Sequence, residues 1–298
     1  MCKMSFVACL ATSLIGSGFS IATCAEHEAT NQLANARSPT EYVSACKLLF
    51  YDSTSEQLAR LAQSDDPALS IAAGWESFQR TLLKAGPPAN RESHLTEVDG
   101  FLRLVKERCD VELPSAWAAS VSGAIRHEVA VGLIVRFSPD AFPRESRVEQ
   151  LGDGNRRMHD GTIVRQTRDV DGTHGAVVTR EGVSWSIPQV YSPARSAQIL
   201  RKGNREFVAV YDAPPAFPTI SCARSDNHLI LWSTKAWGDG VSMSSSGLSQ
   251  WAELDLVSDG NNLLVFGCSP YSVFIEKLDA KTGLVQWRFS SAYFRRFE

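Results

Sequence analysis

The sequence predicts an α+β protein in which a small helical module precedes an all-β module. Two observations predict this order. Apolar residues recur at helical spacing up to about residue 118, and beyond about residue 128 short strand-like segments alternate with turns rich in Asp, Gly and Asn. The chain has 298 residues, 44% of them hydrophobic, which is enough to form a large core. Its formal net charge of -3 argues against a strongly basic nucleic-acid-binding protein and against a polybasic membrane-surface protein.

Helix-start signals define the first module. The segment Ser38-Pro39-Thr40-Glu41 combines an N-cap residue, a proline at the first helical position and an acidic residue three positions after the cap. Ser53-Thr54-Ser55-Glu56 and Asp66-Pro67 repeat this kind of signal before further apolar stripes. We therefore predict a helical module over residues 38–118, with a polar linker over residues 26–37 before it.

A ten-residue stretch of this module, Leu58-Ala59-Arg60-Leu61-Ala62-Gln63-Ser64-Asp65-Asp66-Pro67, resembles the turn between the two helices of a HEAT repeat. The resemblance covers one helix pair and implies antiparallel neighbouring helices. The helical cap of a plain bundle is the alternative that the sequence leaves open.

The first 25 residues have the pattern of a secretory signal peptide. Lys3 precedes a stretch without charged residues that runs from Met4 to Ala25 and ends in small residues. Cleavage is expected after Ala22 or after Ala25. Ser, Thr and Gly residues dilute the apolar run, and no other run approaches the length of a membrane span, so a retained anchor is disfavoured. We therefore predict export to the periplasm or to the extracellular space.

Lipidation is a second interpretation of the same residues. The segment Ile21-Ala22-Thr23-Cys24 resembles a bacterial lipoprotein box, in which the Cys that follows a small residue becomes the acylated N-terminus. Acylation of Cys24 would anchor the mature chain to a membrane.

Cysteine usage agrees with an oxidising compartment. Removal of the leader takes away three of the seven cysteines and leaves an even number, namely Cys46, Cys109, Cys222 and Cys268. We predict two disulfides and favour the pairing Cys46–Cys109 with Cys222–Cys268, which keeps each bridge within one module. Four buried free thiols are the alternative. The mature chain has no C-x-x-C motif, so a redox-active dithiol and a c-type haem are not indicated.

Strands and turns fill the second module, which we place at residues 119–298. Ten short strands are predicted, at residues 129–137, 162–167, 176–179, 197–200, 207–211, 229–233, 254–257, 263–267, 272–278 and 285–289. The last two strands flank a motif in which Asp279 and Thr282 can close an Asx-type turn and Gly283 can supply a positive φ. Trp287, four residues after the glycine, is then placed to pack between neighbouring sheets.

These four positions, Asp279, Thr282, Gly283 and Trp287, resemble the D-x-x-T-G…W repeat of pyrroloquinoline-quinone-like β-propellers. Trp232 and Trp251 are weakly similar to the Trp of the same repeat. The resemblance covers about 70 residues and implies four-stranded blades, of which propellers usually need four to eight to close. Ten to twelve strands give about three blades, so we expect an incomplete propeller-like module or a sandwich.

The sequence assigns no catalytic residue, metal ligand or cofactor. The histidines lack metal-ligand spacing, and the segment Asp169–His174 lacks the glycine position and closing glutamate of a calcium loop, which predicts a solvated turn. Glu206 and several other acidic residues have no evident partner. Seven arginines between Arg144 and Arg180 alternate with acidic residues, as on a solvated surface, so no nucleic-acid partner is predicted.

The favoured function is therefore non-enzymatic binding or scaffolding in the cell envelope. A propeller-like β surface would be presented to a protein or glycan partner, in analogy with propellers that scaffold outer-membrane protein assembly and share the repeat. The alternative is an enzyme, either a degenerate quinoprotein-type dehydrogenase or a hydrolase whose site has no local motif.

Overall fold

A computed structural model of the chain describes residues 21–36, 38–84, 96–122, 149–152, 155–158, 160–190, 196–211, 218–236, 253–268 and 273–291. Within these residues, six helices are followed by three antiparallel sheets that form no closed propeller. The predicted α+β class, with helices before strands, is confirmed. The predicted strand at 129–137 lies outside the described residues.

The helices are α1 (Ile21–Asn35), α2 (Pro39–Phe50), α3 (Ser55–Ala62), α4 (Pro67–Lys84), α5 (Thr96–Cys109) and α6 (residues 115–122). The predicted caps form. The Ser38 hydroxyl accepts a hydrogen bond from the Glu41 backbone N–H at 3.2 Å, and Asp66 Oδ1 accepts one from Leu69 at 3.0 Å. The middle capping box forms between Thr54 and Gln57, one residue later than the sequence pattern indicates.

Helix α1 occupies the segment predicted as a polar linker, so that prediction is wrong. Ala29 and Leu33 are buried, and Ala36 packs against the same core. These positions fall on one helical face, and this short apolar stripe is enough to dock the helix. Both predicted cleavage sites lie in the first two turns of α1, while residues 1–20 lie outside the described part.

No helix in the described part of the chain has the length and apolar character needed to cross a membrane.

The thirteen strands of the described residues form three meanders whose strands pair in chain order. Sheet A contains β1 (Glu149–Gln150), β2 (Asn155–Arg157), β3 (Ile163–Arg168), β4 (His174–Arg180) and β5 (Val183–Pro188). Sheet B contains β6 (Ser196–Lys202), β7 (Arg205–Tyr211), β8 (Thr219–Arg224) and β9 (Ile230–Lys235). Sheet C contains β10 (Glu253–Asp259), β11 (Asn262–Cys268), β12 (Val273–Asp279) and β13 (Val285–Ser290).

The three sheets and the helices form a row of layers in the order A, B, C, helices. On β7, Val208 and Val210 belong to the core shared with sheet A, while Phe207 and Tyr211 belong to the core shared with sheet C. Strand β11 divides in the same way between sheet B and the helices. Because successive side chains of a strand point to opposite faces, strands buried on both faces are apolar throughout.

Aromatic side chains fix the helices to sheet C. The Trp75 ring of α4 lies 6.1 Å from the Phe289 ring of β13. On α6, the Trp117 indole N–H donates to the Gly267 carbonyl at 3.0 Å, and its ring lies 5.0 Å from Phe266. The helical module therefore covers the face of sheet C on which a further blade would pack.

Sheets B and C repeat one turn geometry at the same end of the molecule. Gly203-Asn204 and Gly260-Asn261 each form a two-residue hairpin. The Ser225 N–H donates to Asn204 O at 3.0 Å in sheet B, and the Ala280 N–H donates to Asn261 O at 2.9 Å in sheet C. The two sheets therefore share one turn geometry.

The motif itself forms the predicted turn. Asp279 Oδ1 accepts hydrogen bonds from the Thr282 N–H at 2.7 Å and the Thr282 hydroxyl at 2.8 Å, and Gly283 has a φ of +73°. Trp287, however, packs against the core beneath the helices. The position between neighbouring sheets belongs to Trp232, whose ring covers Gly283.

Replacement of Gly283 by Ala tests this contact. An added Cβ would lie 2.5 Å from Trp232 Cε3, on a residue that already has a positive φ. We expect Gly283→Ala to lower the free energy of unfolding by about 2–4 kcal/mol, from left-handed strain and overpacking together. Urea denaturation followed by tryptophan fluorescence measures the change.

Gly260→Ala is the matched control. Gly260 also has a positive φ, +53°, but nothing lies within 4 Å of an added Cβ. This variant should lose only about 1–2 kcal/mol from backbone strain. Equal losses at the two positions would show that the Trp232 contact contributes nothing.

The predicted disulfides do not form, since Cys46, Cys109, Cys222 and Cys268 are all buried free thiols. Cys222 lies in the core between sheets B and C, whereas Cys268 lies between sheet C and the helices, so sheet C separates them. Cys46 is hydrogen-bonded to Tyr42 near Glu76, whereas Cys109 lies near Lys277 and Asp259. Burial raises the pKa of Cys46 well above its ordinary value and raises that of Cys109 to about 12, which keeps both thiols protonated and unreactive.

Candidate functional site

Polar residues gather where the turns of the three sheets meet, which we call the hairpin end. Backbone and side-chain contacts join these turns across the sheets; for example, Arg201 of sheet B lies 3.2 Å from Glu181 of sheet A. Loops positioned on a rigid scaffold commonly carry function. The turns concerned are residues 158, 160–162 and 181–182 in sheet A, 203–204 and 225–229 in sheet B, and 260–261 and 280–284 in sheet C.

A buried carboxylate lies between sheets A and B at this end. Glu206 on β7 has a side chain that is 4% exposed, and it receives three side-chain contacts. The Trp185 indole N–H donates to Oε2 at 2.8 Å, Arg201 Nε donates to Oε1 at 3.0 Å, and His228 Nδ1 lies 2.8 Å from Oε2. The sequence-based expectation that Glu206 has no partner is therefore wrong.

The carboxylate of Glu206 also determines which nitrogen of the His228 ring carries the proton. An ionised carboxylate only accepts hydrogen bonds, so Nδ1 of His228 carries the proton and Nε2 is the nitrogen left for other contacts. The imidazole is 29% exposed, and its ring packs edge-on against Trp185 at 5.5 Å. A positive φ of 55° at this non-glycine residue adds backbone strain.

Comparison of equivalent positions in sheets B and C shows that this cluster replaces an apolar contact. His228 precedes Trp232 of sheet B by four residues, and Gly283 precedes Trp287 of sheet C by the same number. Glu206 is the second residue after the hairpin Gly203-Asn204, and Leu263 is the second residue after the hairpin Gly260-Asn261. Trp232 therefore packs on Gly283 in the core that contains Leu263, whereas Trp185 packs on a Glu–His pair. At the tryptophan contact, the junction of sheets A and B is thus polar, whereas the junction of sheets B and C is apolar.

A general base needs a reacting group within hydrogen-bond reach. In the described ranges, no nucleophilic side chain hydrogen-bonds to Nε2 of His228. The cluster thus holds the ring and ties sheet A to sheet B, and these contacts define no catalytic step. The sequence signal that could have identified it is a glutamate at an inward position of the apolar strand β7.

A second polar feature is an open cleft between the turns of sheets B and C. It has a volume of about 480 Å³ and is lined by residues of two hairpins and of the D-x-x-T-G turn. Its lining residues are Lys202, Gly203, Arg205, Phe207, Gly260, Asn261, Asp279, Ala280 and Lys281. The volume lies within the range of ligand-binding clefts. We call this feature the cationic cleft.

Cross-sheet hydrogen bonds hold the walls of the cationic cleft. Lys202 Nζ donates to the Ser258 hydroxyl at 2.5 Å and also to the Gly260 carbonyl. Arg205 Nη1 donates to the Ala280 carbonyl at 2.7 Å, and the Trp232 indole N–H lies 3.4 Å from the same oxygen. Two cationic groups of sheet B are therefore fixed against the turns of sheet C.

The cleft has an excess of positive charge. Around it, Lys277 pairs with Asp259 at 2.8 Å, and Arg224 pairs with Asp226. By contrast, Lys202, Arg205 and Lys281 form no ion pair with any carboxylate in the part of the chain that the structure describes. Their one acidic neighbour in the lining is Asp279, where hydrogen bonds from Thr282 lower the pKa and occupy Oδ1.

The other residues singled out in the sequence lie away from this end or outside the described residues. The Asp169–His174 segment forms a turn at the opposite end of sheet A, where Asp171 Oδ1 accepts from the Thr173 N–H at 2.9 Å. No group of three His, Cys, Asp or Glu side chains in the described residues could hold a metal ion. Trp251, His94, His127 and His159 lie outside the described ranges.

No protein-family model matches the chain, and a search of curated proteins finds no significant match.

Glu206→Ala tests the buried cluster. The change leaves the Trp185 indole and Arg201 without their acceptor, and we expect the free energy of unfolding to fall by about 2–3 kcal/mol; exposure of Arg201 limits the loss. Glu181→Ala removes the exposed partner of the same arginine and should cost less than about 0.5 kcal/mol. Chemical denaturation of both variants measures the difference, and equal small losses would contradict the proposed role of Glu206.

Proposed function

We propose that the protein is a non-enzymatic binding or scaffold protein of the cell envelope, and that the hairpin end of sheets B and C is its recognition surface. The observation that carries this proposal is the cationic cleft, which three turns from two sheets build together. A cleft with an excess of charge and fixed walls is suited to binding a partner.

The scaffold behind the cleft supports this role. Sheets B and C are buried on both faces, so their central strands have little freedom to move. Trp232 packs on Gly283 and lies near the Ala280 carbonyl, which ties the turn of sheet C to sheet B. The turns are thus held in place while their polar side chains remain exposed, which is the arrangement of a preformed binding surface.

The location in the envelope rests on the leader. The uncharged stretch after Lys3 has the features of a signal peptide, and export places the cleft outside the cytoplasm. A protein or glycan of the envelope is therefore the expected partner. Acylation of Cys24 would keep the protein at a membrane surface.

A hydrolase is the second candidate, because Glu206 orients the partly exposed imidazole of His228. A carboxylate–histidine pair of this kind serves as the base in many hydrolases, with water or a side-chain hydroxyl as nucleophile. Hydrolysis of ester or glycoside substrates that disappears in His228→Gln would favour this candidate. The degenerate quinoprotein-type dehydrogenase rests on the sequence resemblance alone.

Site-specific photo-cross-linking in the native host tests the binding function. A photoreactive residue in place of Lys281 or Asn261, both exposed at the hairpin end, should give discrete cross-linked partners. The same residue in place of Val170 is the control, because Val170 is fully exposed at the opposite end of sheet A. Equal cross-linking at both ends, or none at the hairpin end, would contradict the proposal.

A further inference from the structure

We propose that the cationic cleft binds an acidic peptide segment of the partner, an inference that rests on the proposed binding function. Lys202, Arg205 and Lys281 reach the cleft from the β6–β7 hairpin and from the D-x-x-T-G turn. Each of the three side chains carries a positive charge. Carboxylates on neighbouring residues of one extended segment would meet more than one of them.

The charges are available to a ligand because none of the three cations forms an ion pair within the described residues, although Lys202 and Lys281 act through space on the carboxylates of Asp259 and Asp279. Lys202 and Arg205 donate to neutral oxygens, a hydroxyl and two carbonyls, which position the cations without neutralising them. Lys281 is exposed, and no hydrogen bond of its ammonium group to another described residue is present. Asp279 keeps its negative charge, so the three cations of the lining and this one carboxylate leave an excess of positive charge.

The form of the cleft favours a peptide over a single phosphate group. The cleft volume of about 480 Å³ is many times the volume of one small anion. For comparison, a water molecule occupies about 30 Å³. Ala280, which is half-buried, adds apolar surface to the lining, which suits the aliphatic part of a peptide. Phosphate sites, by contrast, are typically built from backbone N–H groups that converge at a helix or glycine-rich turn.

Direct binding measurements with the full chain test this inference. Fluorescence anisotropy with labelled hexaglutamate should show saturable binding that weakens as the salt concentration rises, whereas hexaglutamine of the same length should not bind. Lys281→Glu should weaken hexaglutamate binding by about tenfold or more, because it places a carboxylate in the cleft. Inorganic phosphate should compete only poorly.

Two control variants accompany this binding measurement. Lys84→Glu makes the same change of charge at an exposed residue of the helical module and should leave peptide binding unchanged. Lys281→Ala serves if the charge reversal disturbs folding, and thermal unfolding of each variant checks this. The residue touches no buried group, so both variants should unfold at the temperature of the unchanged chain.

Three results would overturn the inference: no binding of hexaglutamate, binding that Lys84→Glu weakens as much as Lys281→Glu, or competition by phosphate at concentrations similar to those of the peptide. The last would identify the cleft as a site for phosphate groups. If hexaglutamate fails to bind while cross-linking at Lys281 persists, the proposed function stands and only the acidic ligand is wrong.

Discussion

Burial of both faces of sheets B and C is the constraint on which the rest of the structure depends. A β-sheet with two apolar faces needs a layer on each side, and here sheet A, sheet B, sheet C and the helices supply those layers in a row. In a closed propeller the last sheet would pack on the first. Here Trp75 and Trp117 place the helical module on sheet C instead, so the row ends at the helices. Among the described residues, the turns at the hairpin end are a part of sheets B and C that stays exposed.

The repeated turn geometry explains why the two sheet junctions differ in chemistry. Trp232 covers a glycine at the junction of sheets B and C, which leaves the neighbouring turn surface to Lys202 and Arg205. At the junction of sheets A and B, a glutamate and a histidine take the corresponding positions beneath Trp185. Polar groups join the sheets at both junctions, but at the junction of sheets B and C they also line an open cleft. For this reason we propose that the recognition surface lies on the B–C side.

Sequence patterns predict the local features well and the long-range contacts poorly. The caps at Ser38 and Asp66 and the turn at Asp279 were predictable because each depends on residues within four positions of one another. The contact of Trp185 with Glu206 joins separate sheets, and nothing in either segment alone indicates its partner. The disulfide prediction failed for the same reason, since an even cysteine count does not show that sheet C separates Cys222 from Cys268. The cationic cleft likewise exists only once two sheets are stacked.

A distance measurement across the row of layers tests the account most directly. Spin labels on cysteines introduced at Leu48 of α2 and at Ser186 of β5, both exposed, report the separation of the helical module from the outer face of sheet A by double electron–electron resonance. With Cys2, Cys9 and Cys24 replaced by serine, the remaining buried thiols should stay unlabelled. Because packed layers lie about 10 Å apart, three successive layer contacts predict a single distribution at about 30 Å or more. A distribution well below about 20 Å would show that sheet A folds back on the helices, and would contradict the open row of layers.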